Sequence, residues 1–154
     1  WAGKSATGNF QRPDYASVQD RPLRAGFFVC HGGLGMIKGN YHCGAVSFEF
    51  IDDVEWLTEC NCSICRRLGT LWAHAEMNRV TVNKPADSTL AYVWGDGELA
   101  FHSCKTWGCT THWEPVNPSE SSPMAVNCKL ADPQQIAHLR VRHFDGADCW
   151  QCLD

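Results

Sequence analysis

Cys60-Asn61-Cys62-Ser63-Ile64-Cys65-Arg66-Arg67-Leu68-Gly69 places three thiols within six residues, with two guanidinium groups directly after them. A thiolate binds Zn²⁺ at about 2.3 Å, and one tight turn can bring Cys60, Cys62 and Cys65 to a single ion. Arg66 and Arg67 add positive charge beside the sulfurs, which favours the thiolate form. They can also hold an anionic ligand through bidentate hydrogen bonds. No fourth Cys or His follows at close range. Three protein ligands with one position open is the pattern of a catalytic zinc, whereas structural sites usually close with four. Two alternatives stand beside this reading: a remote Cys or His completes the site, or the thiols carry no metal.

The chain around this turn reads as short strands. Upstream, Ala45-Val46-Ser47-Phe48-Glu49-Phe50 puts Val46, Phe48 and Phe50 on one side, the period of two of a half-buried strand. Arg66 to Gly69 reads as a short helical turn stopped by Gly69. Downstream, strands are expected at residues 71–75, 80–82, 90–94, 101–104, 110–115, 124–127 and 140–144, separated by Gly-, Pro- and Asp-containing turns. Asp132-Pro133 has the form of a helix start, with Asp132 as N-cap and Pro133 at the first helical position. Many short strands with little helix give an all-β fold class.

With 154 residues the chain is long enough for one domain with a real core. Residues 1–35 are rich in Gly, Arg, Asp and Pro and lack sustained periodicity. They are expected to be a poorly structured N-terminal extension, with Met36 as a translation start; a strand through Phe27 to Cys30 is the alternative. A formal net charge of −4 argues against nucleic acid as a partner, since that would call for a basic face. No apolar run approaches the roughly 18 residues of a membrane span, and no secretory signal is visible. Ten cysteines in that setting point to metal ligands more than to disulfides, and to a cytoplasmic location.

Three segments together resemble the glutathione-dependent formaldehyde-activating enzyme family, of which centromere protein V is a eukaryotic relative. They are Gly39 to Val46, Cys60 to Gly69, and Cys104-Lys105-Thr106-Trp107-Gly108-Cys109-Thr110-Thr111-His112-Trp113. The ending Phe144 to Asp148, with Trp150 and Leu153-Asp154, is similar as well. The resemblance covers residues 36–154. It implies a β-tent fold of packed antiparallel sheets and usually two zinc sites. One is a four-cysteine structural site built from a C-x-C turn and a later C-x-x-C knuckle. The other is a catalytic site on the C-x-C-x-x-C motif, matched here by Cys60, Cys62 and Cys65. The structural set departs from the family: Tyr41 and Trp107 stand where two cysteines are expected, leaving Cys43 and Cys104. Three outcomes are open. Cys109 could join that pair with His42, His102 or His112; Tyr41 and Trp107 could pack where the metal would sit; or Cys43 and Cys104 could form a disulfide.

The resemblance implies a zinc-dependent carbon–sulfur lyase that joins glutathione, or a similar thiol, to formaldehyde or another small aldehyde. Arg66 and Arg67 are then candidates for a glutathione carboxylate. A non-catalytic zinc-binding interaction module and a zinc-thiolate redox protein are the other readings. Among smaller features, His74 could face the metal as an acid or base, and Trp72, Trp94 and Trp113 could line a cleft or fill the core. Glu114 reads as a surface carboxylate, Cys128 as core, and Cys149-Trp150-Gln151-Cys152 as incidental cysteines near a tail.

Overall fold

The computed structural model describes residues 36–51 and 53–154. The expectations for residues 1–35, including a strand through Phe27, lie outside the described residues. Apolar alternation builds the smaller of two sheets. Strand β2 (Ser47–Phe50) buries Phe48 and Phe50 on one side, with Val46 preceding them on the same side. It lies between β1 (Lys38–Asn40) and β5 (Val80–Asn83), and both pairings are antiparallel, with Phe48 opposite Val82 and Phe50 opposite Val80.

The larger sheet has seven strands: β3 (Trp56–Cys60), β4 (Trp72–Glu76), β6 (Thr89–Trp94), β7 (Leu99–Cys104), β8 (Thr110–Pro115), β9 (Pro123–Asn127) and β10 (Arg140–Phe144). Their order is β10-β3-β4-β9-β8-β7-β6. From β3 through β6 the neighbours are antiparallel, but β10 runs parallel to β3. A sheet of purely antiparallel strands was expected. The exception arises because β10 reaches β3 by a long connection, free of the hairpin geometry that makes close neighbours antiparallel.

Helix is confined to α1 (Cys65–Leu68), α2 (Pro133–Ile136) and two single 3₁₀ turns, so the described chain is all-β with little helix. The Asp132 carboxylate caps α2 by accepting from the Gln134 N–H at 2.8 Å. The structure adds β1 and β3, which sequence periodicity did not single out. None of the described helices is long and apolar enough to cross a membrane.

Side-chain alternation on the central strands places two cores on opposite faces of the large sheet. Ala73, Met124 and Val126 join Phe48, Phe50 and Leu57 in the core shared with the small sheet. Trp72 and Ala125, each one residue out of phase, join Cys65 and Phe101 on the other face. Both faces of β9 are covered from Met124 to Asn127, so it lacks polar alternation, whereas β4 turns His74 and Glu76 outward beyond Ala73. Phe48 is fully buried, and its truncation to Ala would cost about 3–5 kcal/mol. The cysteine turn sits over the second core.

Candidate metal centre and its cleft

Cys60 is the last residue of β3, Cys62 lies in the following turn, and Cys65 opens α1. The backbone wraps the sulfurs: the Cys62 N–H points at Cys60 Sγ and the Cys65 N–H at Cys62 Sγ, both at 3.5 Å. From the core below, the Trp72 indole N–H donates to Cys65 Sγ at 3.2 Å. Gly69 ends α1 with φ of 63° and returns its N–H to the Cys65 carbonyl, a left-handed stop that glycine takes without penalty. The turn is thus shaped around its sulfurs, as it must be if they share one ion.

The chain end closes the turn from the side. Asn61 Nδ2 donates to Asp145 Oδ1 at 2.8 Å, and the Ala147 N–H donates to Asn61 Oδ1 at 3.0 Å. The Asn61 N–H also donates to the Phe144 carbonyl at 3.1 Å. Hydrogen bonding from Asn61 holds the Asp145 carboxyl down at about 2. Between these contacts lies Gly146, where a Cβ would meet Cys60 Sγ at 2.7 Å and Cys62 Cβ at 3.1 Å. Any larger residue there must displace the Cys60 sulfur. The resemblance noted the Phe144–Asp148 ending, but only the folded chain sets it against Cys60.

One donor atom from each of Cys60, Cys62 and Cys65 lies within 4.8 Å of the other two, so this group can hold a metal ion. Burial raises the pKa of Cys65 and of Cys60. Burial also opposes ionisation of Cys62, but hydrogen bonding, led by the Cys65 N–H, outweighs it and lowers that pKa. Three thiolates this close repel one another unless a cation joins them. That donor set, all sulfur and short of four, suits a soft or borderline ion such as zinc.

The three thiols lie in the wall of a cleft of about 950 Å³, which Arg66, His74, Trp94, Trp113 and Trp150 also line. That volume falls within the roughly 300–1,000 Å³ of small-molecule sites. The arginines diverge. Arg66 lines the cleft, whereas Arg67 lines a neighbouring hollow of about 430 Å³, and its guanidinium turns back to the Ser63 carbonyl. His74 keeps an exposed ring although protein atoms crowd it, and that desolvation lowers its pKa. Its ring packs 5.9 Å from that of Trp113. Of the tryptophans weighed for a cleft, Trp72 is the buried floor, while Trp94 and Trp113 form walls. Trp150, at 72% exposure, is a wall residue that sequence reasoning missed.

Cys43 and Cys104 come together with their sulfurs 3.6 Å apart, and neither is in a disulfide. No third ligand-type atom joins them in a group among the described residues. Instead Tyr41 is fully buried beside them, its ring edge-on to Trp107 at 6.4 Å, and the Thr111 hydroxyl donates to its phenol oxygen. Burial pushes the Tyr41 phenol up to about 12. The Cys109 thiol points at the Thr110 carbonyl at 3.8 Å. Cys128 is core, as expected, and opens the 3₁₀ turn after β9, while Cys149 and Cys152 are exposed.

His102 and His112 are taken up elsewhere. With Glu114 they form the second group of metal-ligand side chains among the described residues. Glu114 is only partly exposed, and hydrogen bonding from His102 holds its carboxyl at about 2. Sequence reasoning set it aside as a surface residue. The His112-Trp113-Glu114 spacing, two positions apart on one strand face, was the available signal.

No family model matches the chain. Among solved structures, it is similar to a Rhodobacter sphaeroides protein, a Northeast Structural Genomics target, at 27% sequence identity and a TM-score of 0.55. The match covers 68% of this chain and 98% of that one.

Proposed function

We propose that the protein is a zinc-dependent carbon–sulfur lyase acting on glutathione, or a similar thiol, and a small aldehyde, as its motif resemblance to the formaldehyde-activating enzymes implies. The observation that carries this reading is an incomplete, all-thiol donor set opening onto a cleft of substrate size with an arginine in its wall. Zinc held by Cys60, Cys62 and Cys65 supplies Lewis acidity that favours ionisation of a substrate thiol at neutral pH.

The chain's own residues do the rest. Arg66 offers a bidentate partner for a carboxylate of the thiol substrate. Trp94, Trp113 and Trp150 give the cleft apolar walls against which a small aldehyde can pack. Desolvation lowers the pKa of His74, so its imidazole can take the thiol proton and pass it to solvent. The sulfur then bonds to the carbonyl carbon, the C=O π pair moves to oxygen, and a proton from solvent is delivered there. The reverse sequence breaks the carbon–sulfur bond.

Calorimetry in buffers of different ionisation enthalpy tests this. Glutathione should bind with proton release and S-methylglutathione should not. Arg66→Ala should weaken glutathione binding while leaving the metal content unchanged. Equal binding of the two ligands, or none at millimolar concentration, would overturn the lyase reading and favour the non-catalytic interaction module.

A further inference from the structure

A second cluster stands apart from the thiols. His102 on β7 and His112 on β8 are direct cross-strand partners, and their rings stack at 4.5 Å with planes 4° apart. Glu114 follows His112 by two residues, so it shares that face of β8. Its two carboxylate oxygens divide between the imidazoles: Oε1 lies 3.0 Å from His102 Nε2 and Oε2 lies 3.7 Å from His112 Nε2. Thr89 Oγ1, from β6, sits 3.2 Å from His102 Nδ1 and fixes that ring from behind. A hydrogen bond to the remote nitrogen is what orients a ligating histidine.

Within this cluster one atom, His112 Nδ1, lacks a partner, and a cation at Nε2, whether ammonium or metal, keeps the proton on that Nδ1. His112 is fully buried and its Nδ1 has no hydrogen-bond partner. If its Nε2 accepts from the Lys84 ammonium at 3.4 Å, the proton on Nδ1 is stranded. If Nε2 carries the proton instead, it faces an ammonium and a carboxylate oxygen 3.7 Å away, and the Nδ1 lone pair is unused. Buried imidazole nitrogens normally find partners. Lys84 also shows that a cation belongs here, since its Nζ lies 2.9 Å from Glu114 Oε1. A divalent ion in that place could take the Nε2 lone pairs of both imidazoles and a carboxylate oxygen together, whereas the ammonium meets His112 and Glu114. Lys84 follows β5, has a long stem and keeps 31% of its side chain exposed, so it can swing outward.

We infer that His102, His112 and Glu114 form a second metal site, for a divalent transition ion, in which the Lys84 ammonium is a displaceable stand-in for the metal. The three donor atoms already lie within 4.8 Å of one another. Two imidazoles and a carboxylate suit zinc, cobalt or iron(II) rather than calcium or magnesium. The site shares no donor with the cysteine turn and does not depend on the lyase chemistry.

Cobalt(II) is the probe, added to the full chain after one equivalent of zinc has been supplied. Binding at this site should produce visible d–d bands without the thiolate-to-cobalt charge transfer that cysteine ligation gives. Lys84→Met should tighten cobalt binding at least tenfold, because it removes the competing charge. Adding Glu114→Gln to Lys84→Met, or His102→Gln in its place, should weaken it at least tenfold. Since Lys84→Met gains binding, a loss of folding cannot imitate the result. The inference is overturned if Lys84→Met shows no d–d bands up to millimolar cobalt. It is equally overturned if every band carries thiolate charge transfer, or if Glu114→Gln leaves the affinity unchanged.

Discussion

Gly146→Ala tests how tightly the chain end holds the cysteine turn. The added Cβ would sit 2.7 Å from Cys60 Sγ and 3.1 Å from Cys62 Cβ, where ordinary contact begins at 3.4 Å. The Cys60 sulfur must therefore retreat by about 0.7 Å, or the 145–150 turn must move. That turn is pinned by Asn61 at Asp145 and Ala147, so the sulfur has less to hold it. Metal sites tolerate ligand displacements of only about 0.2 Å. Overpacking of this kind costs about 1–3 kcal/mol, and each 1.4 kcal/mol is about tenfold in affinity. Zinc affinity should therefore fall roughly 5- to 140-fold by these measures. Competition with a chromophoric chelator at pH 7 measures it. The melting temperature of the metal-free protein should change much less, because an unligated Cys60 side chain can rotate away. Zinc affinity within twofold of wild type would refute the close approach of Gly146 to the metal ligands.

Other expectations follow from single contacts. Trp72→Phe removes the only side-chain N–H that reaches Cys65 Sγ among the described hydrogen bonds. A bond to a charged acceptor is worth about 1.5–3 kcal/mol, so chelator competition should show at least a tenfold loss of zinc affinity. Cys62→Ser should abolish tight zinc binding, whereas Cys43→Ser should leave it intact, because Cys43 and Cys104 lack a third donor; metal analysis of the purified variants checks both. The Asp145 carboxyl, near 2 in the fold, lies below its unfolded value of about 3.9. Its stabilising contribution is therefore full above about pH 4 and is lost as the pH falls through 2. Asp145→Asn should bring the acid transition, followed by tryptophan fluorescence, to a higher pH.

Much of the site was legible because its chemistry is local. Cys60, Cys62 and Cys65 reach one another through a single turn, so their spacing alone announces a shared ion. Val46, Phe48 and Phe50 declare their strand for the same reason: the period of two is a property of neighbouring residues. Asp132 and Pro133 mark the start of α2 within two positions. β3 was harder to see, since Trp56 is exposed while Leu57 and Thr58 are both buried, and no alternation survives.

The rest depended on residues far apart in the chain. Nothing in Gly146 or Asn61 singles out the other; they meet because β10 runs parallel beside β3 and delivers the 145–150 turn to the thiols. The divergence of Arg66 from Arg67 reflects their places on α1, where successive residues point in different directions. Glu114 looked like a solvated carboxylate until β7 placed His102 across from His112 and the end of β5 brought Lys84 to His112 and Glu114. Short-range spacing determines which residues can ligate together within a turn. Which strands become neighbours depends on burial of apolar side chains far apart in the chain, such as Phe48, Leu57 and Val126 in one core and Trp72, Phe101 and Ala125 in the other. That burial decides the contacts between distant segments.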